Sequence, residues 1–225
     1  MGGVSIADRL VAVRDQVAHA TVSAGRSPED VHLIAVSKTQ PASAIREAYA
    51  AGQRHFGESY AQELAHKAAE LVDLTDLHWH FIGTIQTNKA GLIAPVSERV
   101  HAVHSPRHAR ALAKKHSPIQ VLLAVNLGDE DSKTGVQAND VLAVCSEIVA
   151  EDGVQLRGLM TLPPNGQDPA PFFEQLASLA EQGRAIGLPL TELSMGMSGD
   201  FEVAIAKGAT WVRVGTAIFG PRRSR

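Results

Sequence analysis

The feature that most limits what this chain can fold into is its rhythm. Eight short apolar or β-branched runs recur along it, and each ends in a small polar stretch that leads into a helical pattern. The runs span residues 31–38, 55–58, 78–83, 99–104, 119–126, 155–160, 192–196 and 211–215. Helical segments fill the gaps at 42–51, 60–71, 88–93, 107–116, 138–150, 170–186 and 201–207, and an amphipathic segment at 6–24 precedes them all. Gly52, Gly187 and Gly208 stand just past helical segments, where a left-handed C′ residue ends a helix. Strict alternation implies right-handed crossovers and a parallel sheet. Eight strands in about 200 residues predict a (β/α)8 barrel, an α/β fold, with an extra N-terminal helix. A doubly wound open sheet is the competing architecture, because alternation alone does not show closure. No linker, repeat or low-complexity stretch divides the chain, so 1–225 is expected to form a single domain.

Charge and cysteine usage narrow the function classes. Lys+Arg number 21 against 24 Asp+Glu, a net charge of -3, so no chain-wide basic field invites nucleic acid or an acidic membrane. The one cationic cluster, Arg222-Arg223-Ser224-Arg225, reads as a solvated terminus. Cys145 is the sole cysteine, within an apolar helical stretch, and reads as a small buried hydrophobe in a reducing compartment. No run approaches the ~20 apolar residues of a membrane helix, and no signal peptide follows Met1-Gly2-Gly3. The expectation is a cytoplasmic protein, and without long heptads, a monomer.

Barrels carry function at the C-terminal ends of their strands, with phosphate favoured after strands seven and eight. Three segments meet that test. Lys38 closes the run Leu33-Ile34-Ala35-Val36-Ser37, where a partly desolvated amine would be neutral and nucleophilic; a lysine that snorkels to solvent from the strand end is the more common reading of this segment alone. In Leu193-Ser194-Met195-Gly196-Met197-Ser198-Gly199-Asp200, a strand runs into small residues before a helix, with Ser198 placed as N-cap and anion site. Val212-Arg213-Val214-Gly215-Thr216-Ala217 repeats the pattern after the eighth run. A different chemistry would come from His78 and His80, which share a strand face at a spacing that can bind a metal; no Asp or Glu ends the later strands to complete such a site. Ser132-Lys133-Thr134-Gly135 forms a polar loop that could close over a ligand.

Seven segments together resemble a known family. They are Ala35-Val36-Ser37-Lys38, His55-Phe56-Gly57-Glu58, His80-Phe81-Ile82-Gly83, Gln86-Thr87-Asn88-Lys89, Gly158-Leu159-Met160, Leu193 to Ser198, and Val212 to Gly220. In this order they are similar to the pyridoxal phosphate homeostasis proteins (the YggS/PROSC type), related to the N-terminal barrel of alanine racemase. The resemblance implies a TIM barrel that holds pyridoxal 5'-phosphate as a Schiff base on Lys38. It also implies phosphate contacts from Ser194, Met197, Ser198, Gly215 and Thr216, and places Arg213 near the pyridine nitrogen. Ser59 departs from the family's Phe-Gly-Glu-Asn-Tyr pattern and loses an amide's reach. The loop 126–135 keeps Asn126, Glu130, Lys133 and Gly135.

Two functions of different class are compatible with such a site. One is a carrier that stores and hands over the cofactor in vitamin B6 homeostasis, with little or no turnover and recipient apoenzymes as partners. The other is a small amino-acid racemase. Two-base racemisation needs a second acid/base facing the lysine, and the chain has only Tyr49 and Tyr60, one within a helix and one at a helix start. An arginine at the ring nitrogen would also weaken the cofactor as an electron sink. The carrier is the expected function, with no catalytic residues and no metal.

Overall fold

The structure, a computed structural model, describes residues 4–128 and 134–221. It opens with α1 (Ile6–Ser23), started by a reciprocal cap in which Asp8 N donates to Ser5 Oγ at 3.1 Å and Ser5 N to Asp8 Oδ2 at 3.2 Å. The barrel strands are β1 (His32–Val36), β2 (His55–Glu58), β3 (His78–Phe81), β4 (Ser97–Val103), β5 (Ile119–Asn126), β7 (Val154–Thr161), β8 (Glu192–Ser194) and β9 (Trp211–Val214). Between β5 and β7 lies a two-residue strand, β6 (Val136–Gln137), which pairs with the end of β5. The helices between strands are α2 (Ala42–Ala50), α3 (Ala61–Glu70), α4 (Ala90–Ile93), α5 (Pro106–Ala113), α6 (Val141–Val149), α7 (Ala170–Ala185) and α8 (Phe201–Ala206), and α9 (Thr216–Phe219) closes the series.

The sheet is closed, not open. Parallel pairing runs β1–β2–β3–β4–β5–β7–β8–β9, and β9 returns to β1 in the register His32↔Trp211, Leu33↔Val212, Ile34↔Arg213 and Ala35↔Val214. That ring of eight excludes the doubly wound alternative and establishes the (β/α)8 TIM barrel with its extra N-terminal helix.

Residues alternate between two layers because successive strand side chains face opposite ways. The outward layer is apolar: Phe56 and Trp79 lie with ring centroids 6.2 Å apart. Helix residues such as Leu10, Ile45, Leu64, Leu112, Ile148 and Phe173 complete the buried cluster. Cys145 belongs to it, and burial pushes its thiol up to about 12, so it is the inert hydrophobe expected. The inward layer is more polar, with His80, His101, Ser194 and Arg213 all buried.

Differences from the sequence reading sit at element ends. The first strand stops at Val36, so Lys38 lies in a turn and not on the strand itself. The segment 88–93 divides into a 3-10 turn (Thr87–Lys89) and α4, and 138–150 into a 3-10 turn (Ala138–Asp140) and α6. Gly52, Gly187 and Gly208 take φ of 89°, 88° and 95°, the left-handed stops expected. Ser198 is not an N-cap. Residues 198–200 form a turn, and Asp200 takes the N-cap position of α8 while its carboxylate, accepting from Met197 N at 2.5 Å, fastens the turn before the helix.

Candidate functional site

The C-terminal ends of the strands surround a cleft of about 320 Å³, at the small end of the range for small-molecule sites. Six of the seven predicted site residues line it: Lys38, Met197, Ser198, Arg213, Gly215 and Thr216. Ser194 is the exception. It is fully buried, and its hydroxyl stands behind Arg213, accepting from Arg213 Nη1 at 2.6 Å.

Lys38 owes its place to a fastened turn. Ser37 N donates to Gly57 O at 3.0 Å, and Gln40 N closes back on Ser37 O at 3.0 Å. Between them Thr39 adopts φ 66°, an outlier for a β-branched residue. Strain of that kind persists where surroundings over-determine the backbone. Here Thr39 N donates to Glu63 Oε1 at 2.6 Å. Lys67, itself buried, donates to Ser37 O, Glu58 Oε1 and Glu63 Oε1, each at 2.7 Å. Ser37 Oγ adds a 2.6 Å hydrogen bond to Glu58 Oε1. Burial raises the Glu58 carboxyl above its usual range, outweighing the pull of Lys67, and its Oε2 has no hydrogen-bond partner among the described residues.

Across the cleft, Arg213 is held by neutral acceptors, Ser194 Oγ and Thr161 O, the latter at 3.0 Å. Burial lowers its guanidinium to about 10, so it remains a cation at neutral pH. Among the described residues no carboxylate forms an ion pair with it. A buried cation without a paired anion marks a position for an electron-rich acceptor. Two turns flank it: Met197–Asp200, closed by Asp200 N on Met197 O at 3.1 Å, and Gly215–Thr216 at the start of α9. Met197, Ser198 and Gly199 of the first turn and Gly215 and Thr216 of the second line the cleft.

Gln40, Ser59, Ile82, Met160, Leu162 and Phe219 complete most of the lining. Gln40 is absent from the sequence reading, and Ser59 is left out of it for departing from the family pattern; each follows a strand-end motif by a residue or two, and both line the cleft. Tyr49 is outside the cleft, with its hydroxyl bonded to Asp76 and Arg54 over its ring at 4.0 Å. Tyr60 is exposed and does not line it either. Of the loop 126–135, residues 129–133, including Glu130, Ser132 and Lys133, lie outside the described residues, as does Arg222-Arg223-Ser224-Arg225.

The histidines of β3 are at the other end of the barrel. His78 Nδ1 contacts Glu98, and His80 Nε2 faces His55 Nδ1 at 3.0 Å. Ligand atoms of His55, His80 and Glu98 lie within 4.8 Å of one another. The Glu98 carboxylate is already shared between His78 and Arg99.

Comparison with known proteins places this geometry. The family described as alanine racemase, N-terminal domain, matches residues 10–223. The pyridoxal phosphate homeostasis protein of Pseudomonas aeruginosa is 45% identical over 222 residues, covering 97% of this chain and 96% of that one. The structure of PipY from Synechococcus elongatus PCC7942 without PLP superposes with a TM-score of 0.86 at 42% identity, covering 96% of this chain and all of PipY. PipY with PLP bound gives 0.85 at 41%, with the same coverage. A closed eight-stranded barrel, a lysine turn after its first strand and near-full-length identity above 40% agree, and the chain belongs to the pyridoxal phosphate homeostasis protein family.

Proposed function

We propose that this chain binds pyridoxal 5'-phosphate through Lys38 and serves vitamin B6 homeostasis as a carrier with little or no turnover. The observation that carries the reading is convergence. An amine from the β1 side, a buried unpaired cation from β9 and two small-residue turns all line one cleft. When bound, pyridoxal phosphate supplies an aldehyde that condenses with an amine and releases water. Lys38 offers that amine. Arg213, a donor with no acceptor capacity, matches an unprotonated ring nitrogen. The turns at Met197–Ser198 and Gly215–Thr216 suit a phosphate, and Ser194 acts on the site through Arg213. The relative bound to PLP, PipY, supports the same ligand here.

The absence of turnover rests on the lining. Among the described residues that form the cleft, Lys38 and Arg213 are the ionisable side chains. A racemase requires a second acid/base opposite the lysine, and both tyrosines are elsewhere. The whole chain, 1–225, acts in this reading as one cofactor-binding domain, a monomer in the cytoplasm that hands its ligand to recipient apoenzymes. A single buried thiol suits that compartment.

An absorbance titration tests the reading. The parent protein given pyridoxal phosphate is expected to develop a visible band that borohydride traps, and Lys38→Ala protein to lack it. No band in the parent at excess ligand would overturn the cofactor assignment. A steady racemase activity lost in Lys38→Ala would overturn the carrier.

A further inference from the structure

Behind Arg213, the barrel interior carries a line of hydrogen bonds that ligand contact alone does not require. Arg213 Nη1 meets Ser194 Oγ at 2.6 Å, and Ser194 Oγ meets His101 Nδ1 at 2.8 Å. His101 Nε2 meets His80 Nδ1 at 2.9 Å, and His80 Nε2 meets His55 Nδ1 at 3.0 Å. The five residues come from β9, β8, β4, β3 and β2, so the line crosses from the cleft to the strand starts. Trp211 packs beside it, with ring centroids 5.2 Å from His55, 4.9 Å from His80 and 6.1 Å from His101.

The chemistry of the groups gives this line one direction. A guanidinium only donates, so Ser194 Oγ accepts from Arg213. The serine proton then goes to His101 Nδ1, at 2.8 Å the other hydrogen-bonding atom beside it among the described residues. A neutral imidazole has one donor and one acceptor. His101 therefore carries its proton on Nε2 and donates to His80 Nδ1, and His80 in turn donates from Nε2 to His55 Nδ1. Burial holds His80 and His101 well below the usual histidine range, which keeps both neutral.

We propose that His101, backed by His80 and His55, is a positioning residue that fixes the Ser194 hydroxyl and through it the guanidinium of Arg213 in the cleft. The inference rests on Arg213 facing the cofactor's ring nitrogen. Without an ion-paired carboxylate, the orientation of the guanidinium depends on where its two neutral acceptors aim their lone pairs. Thr161 O is fixed by backbone. Ser194 Oγ rotates, and only an acceptor for its proton stops that rotation. His101 is that acceptor, and His101 is itself turned by His80.

Two measurements on the full-length protein test this. In cofactor-free protein with 15N-labelled histidine, His80 and His101 are expected as neutral Nε2–H tautomers at pH 7. A protonated ring, or an Nδ1–H tautomer at His101, would overturn the directed line. The second measurement titrates pyridoxal phosphate into the parent, His101→Leu, Ser194→Ala, their double variant and His101→Gln. His101→Leu is expected to weaken binding about tenfold, equivalent to about 1.4 kcal/mol, and to move the absorption maximum of the bound ligand. Ser194→Ala is expected to do the same, the double variant no worse than either, and His101→Gln, with one donor and one acceptor, to recover most of the loss. A merely structural histidine would lower stability in melting curves while leaving the spectrum in place. Unchanged affinity and spectrum in folded His101→Leu would overturn this inference alone; should that variant not fold, Ser194→Ala with parent-like affinity and spectrum would do so. A parent that binds no ligand would overturn the cofactor reading and this inference with it.

Discussion

Lys67 shows how much a single residue can hold in place without touching the cleft. It is 5% exposed and serves three acceptors at 2.7 Å, one of them the carbonyl immediately before Lys38. Removing it leaves Glu58 buried with no cation. Lys67→Met is therefore expected to cost about 3–5 kcal/mol in urea unfolding at pH 8. The loss should be smaller at pH 5. The Glu58 carboxyl is already raised above 4.5 by burial, and without Lys67 it rises further. A raised carboxyl pKa favours the folded state at low pH, and that advantage disappears as pH climbs through the folded value. Equal losses at the two pH values would contradict this account. Lys67 was illegible in the sequence, as a lysine on an otherwise ordinary helix, because Ser37 and Glu58 come to it from the turn after β1 and from β2. His101 was hidden in the same way: its role comes from neighbours on β3 and β8. Lys38 and the residues at 197–198 and 213–216 were legible because each stands in its own strand-end motif.

At the scale of elements, the order and type of every barrel strand and of the long helices follow from periodicity, while the ends do not. Strand runs read as 31–38 and 192–196 end at Val36 and Ser194, because the same apolar residues continue into turns whose hydrogen bonds go elsewhere. The two-residue β6 carries no pattern at all. Where two strands come closest, a glycine is required. A Cβ on Gly158 of β7 would lie 1.7 Å from Glu192 O of β8, a backbone atom that cannot yield alone. Gly158→Ala is thus expected to part β7 from β8 and cost about 1–3 kcal/mol. Since β8 ends in Ser194, the same variant should also weaken pyridoxal phosphate binding. A thermal melt beside a binding titration checks both, and parent-like values in the two would contradict the close approach.

For the whole molecule, the polar barrel interior predicts acid sensitivity. Burial holds His80 and His101 well below 6.5 and His55 at about 4, and outside the barrel, on α5, it holds His108 at about 4, so the folded protein keeps these rings neutral. The unfolded chain protonates its histidines near 6.5. Their contribution to stability is present above that value and is lost as pH falls toward the folded values. Each fully buried ring is expected to add about 1.4 kcal/mol of destabilisation per pH unit below 6.5. Urea midpoints from pH 7 to 5 measure this, and His101→Gln should flatten the dependence by one histidine's share. A pH-independent midpoint over that range would contradict the neutral interior. The sequence showed ten histidines but not that several of them fill the barrel.

The seam between β1 and β9 joins strands made at opposite times. Lys38 leaves the ribosome early, Arg213 and Gly215 late, and only the ring closure His32↔Trp211 to Ala35↔Val214 brings them face to face. Helix α1 and the turn after it wait at that seam, where Arg9 Nε of the helix reaches Ile218 O at 2.6 Å and Arg26 Nη1 of the turn reaches Ala209 O at 2.8 Å. A molecule gripped by residues from both sides has no counterpart site on the nascent or unfolded chain. Its occupancy stabilises the closed barrel by mass action, about 2.7 kcal/mol at a hundredfold excess over Kd. Ligand supply would then set the equilibrium fraction of copies that stands open to proteases.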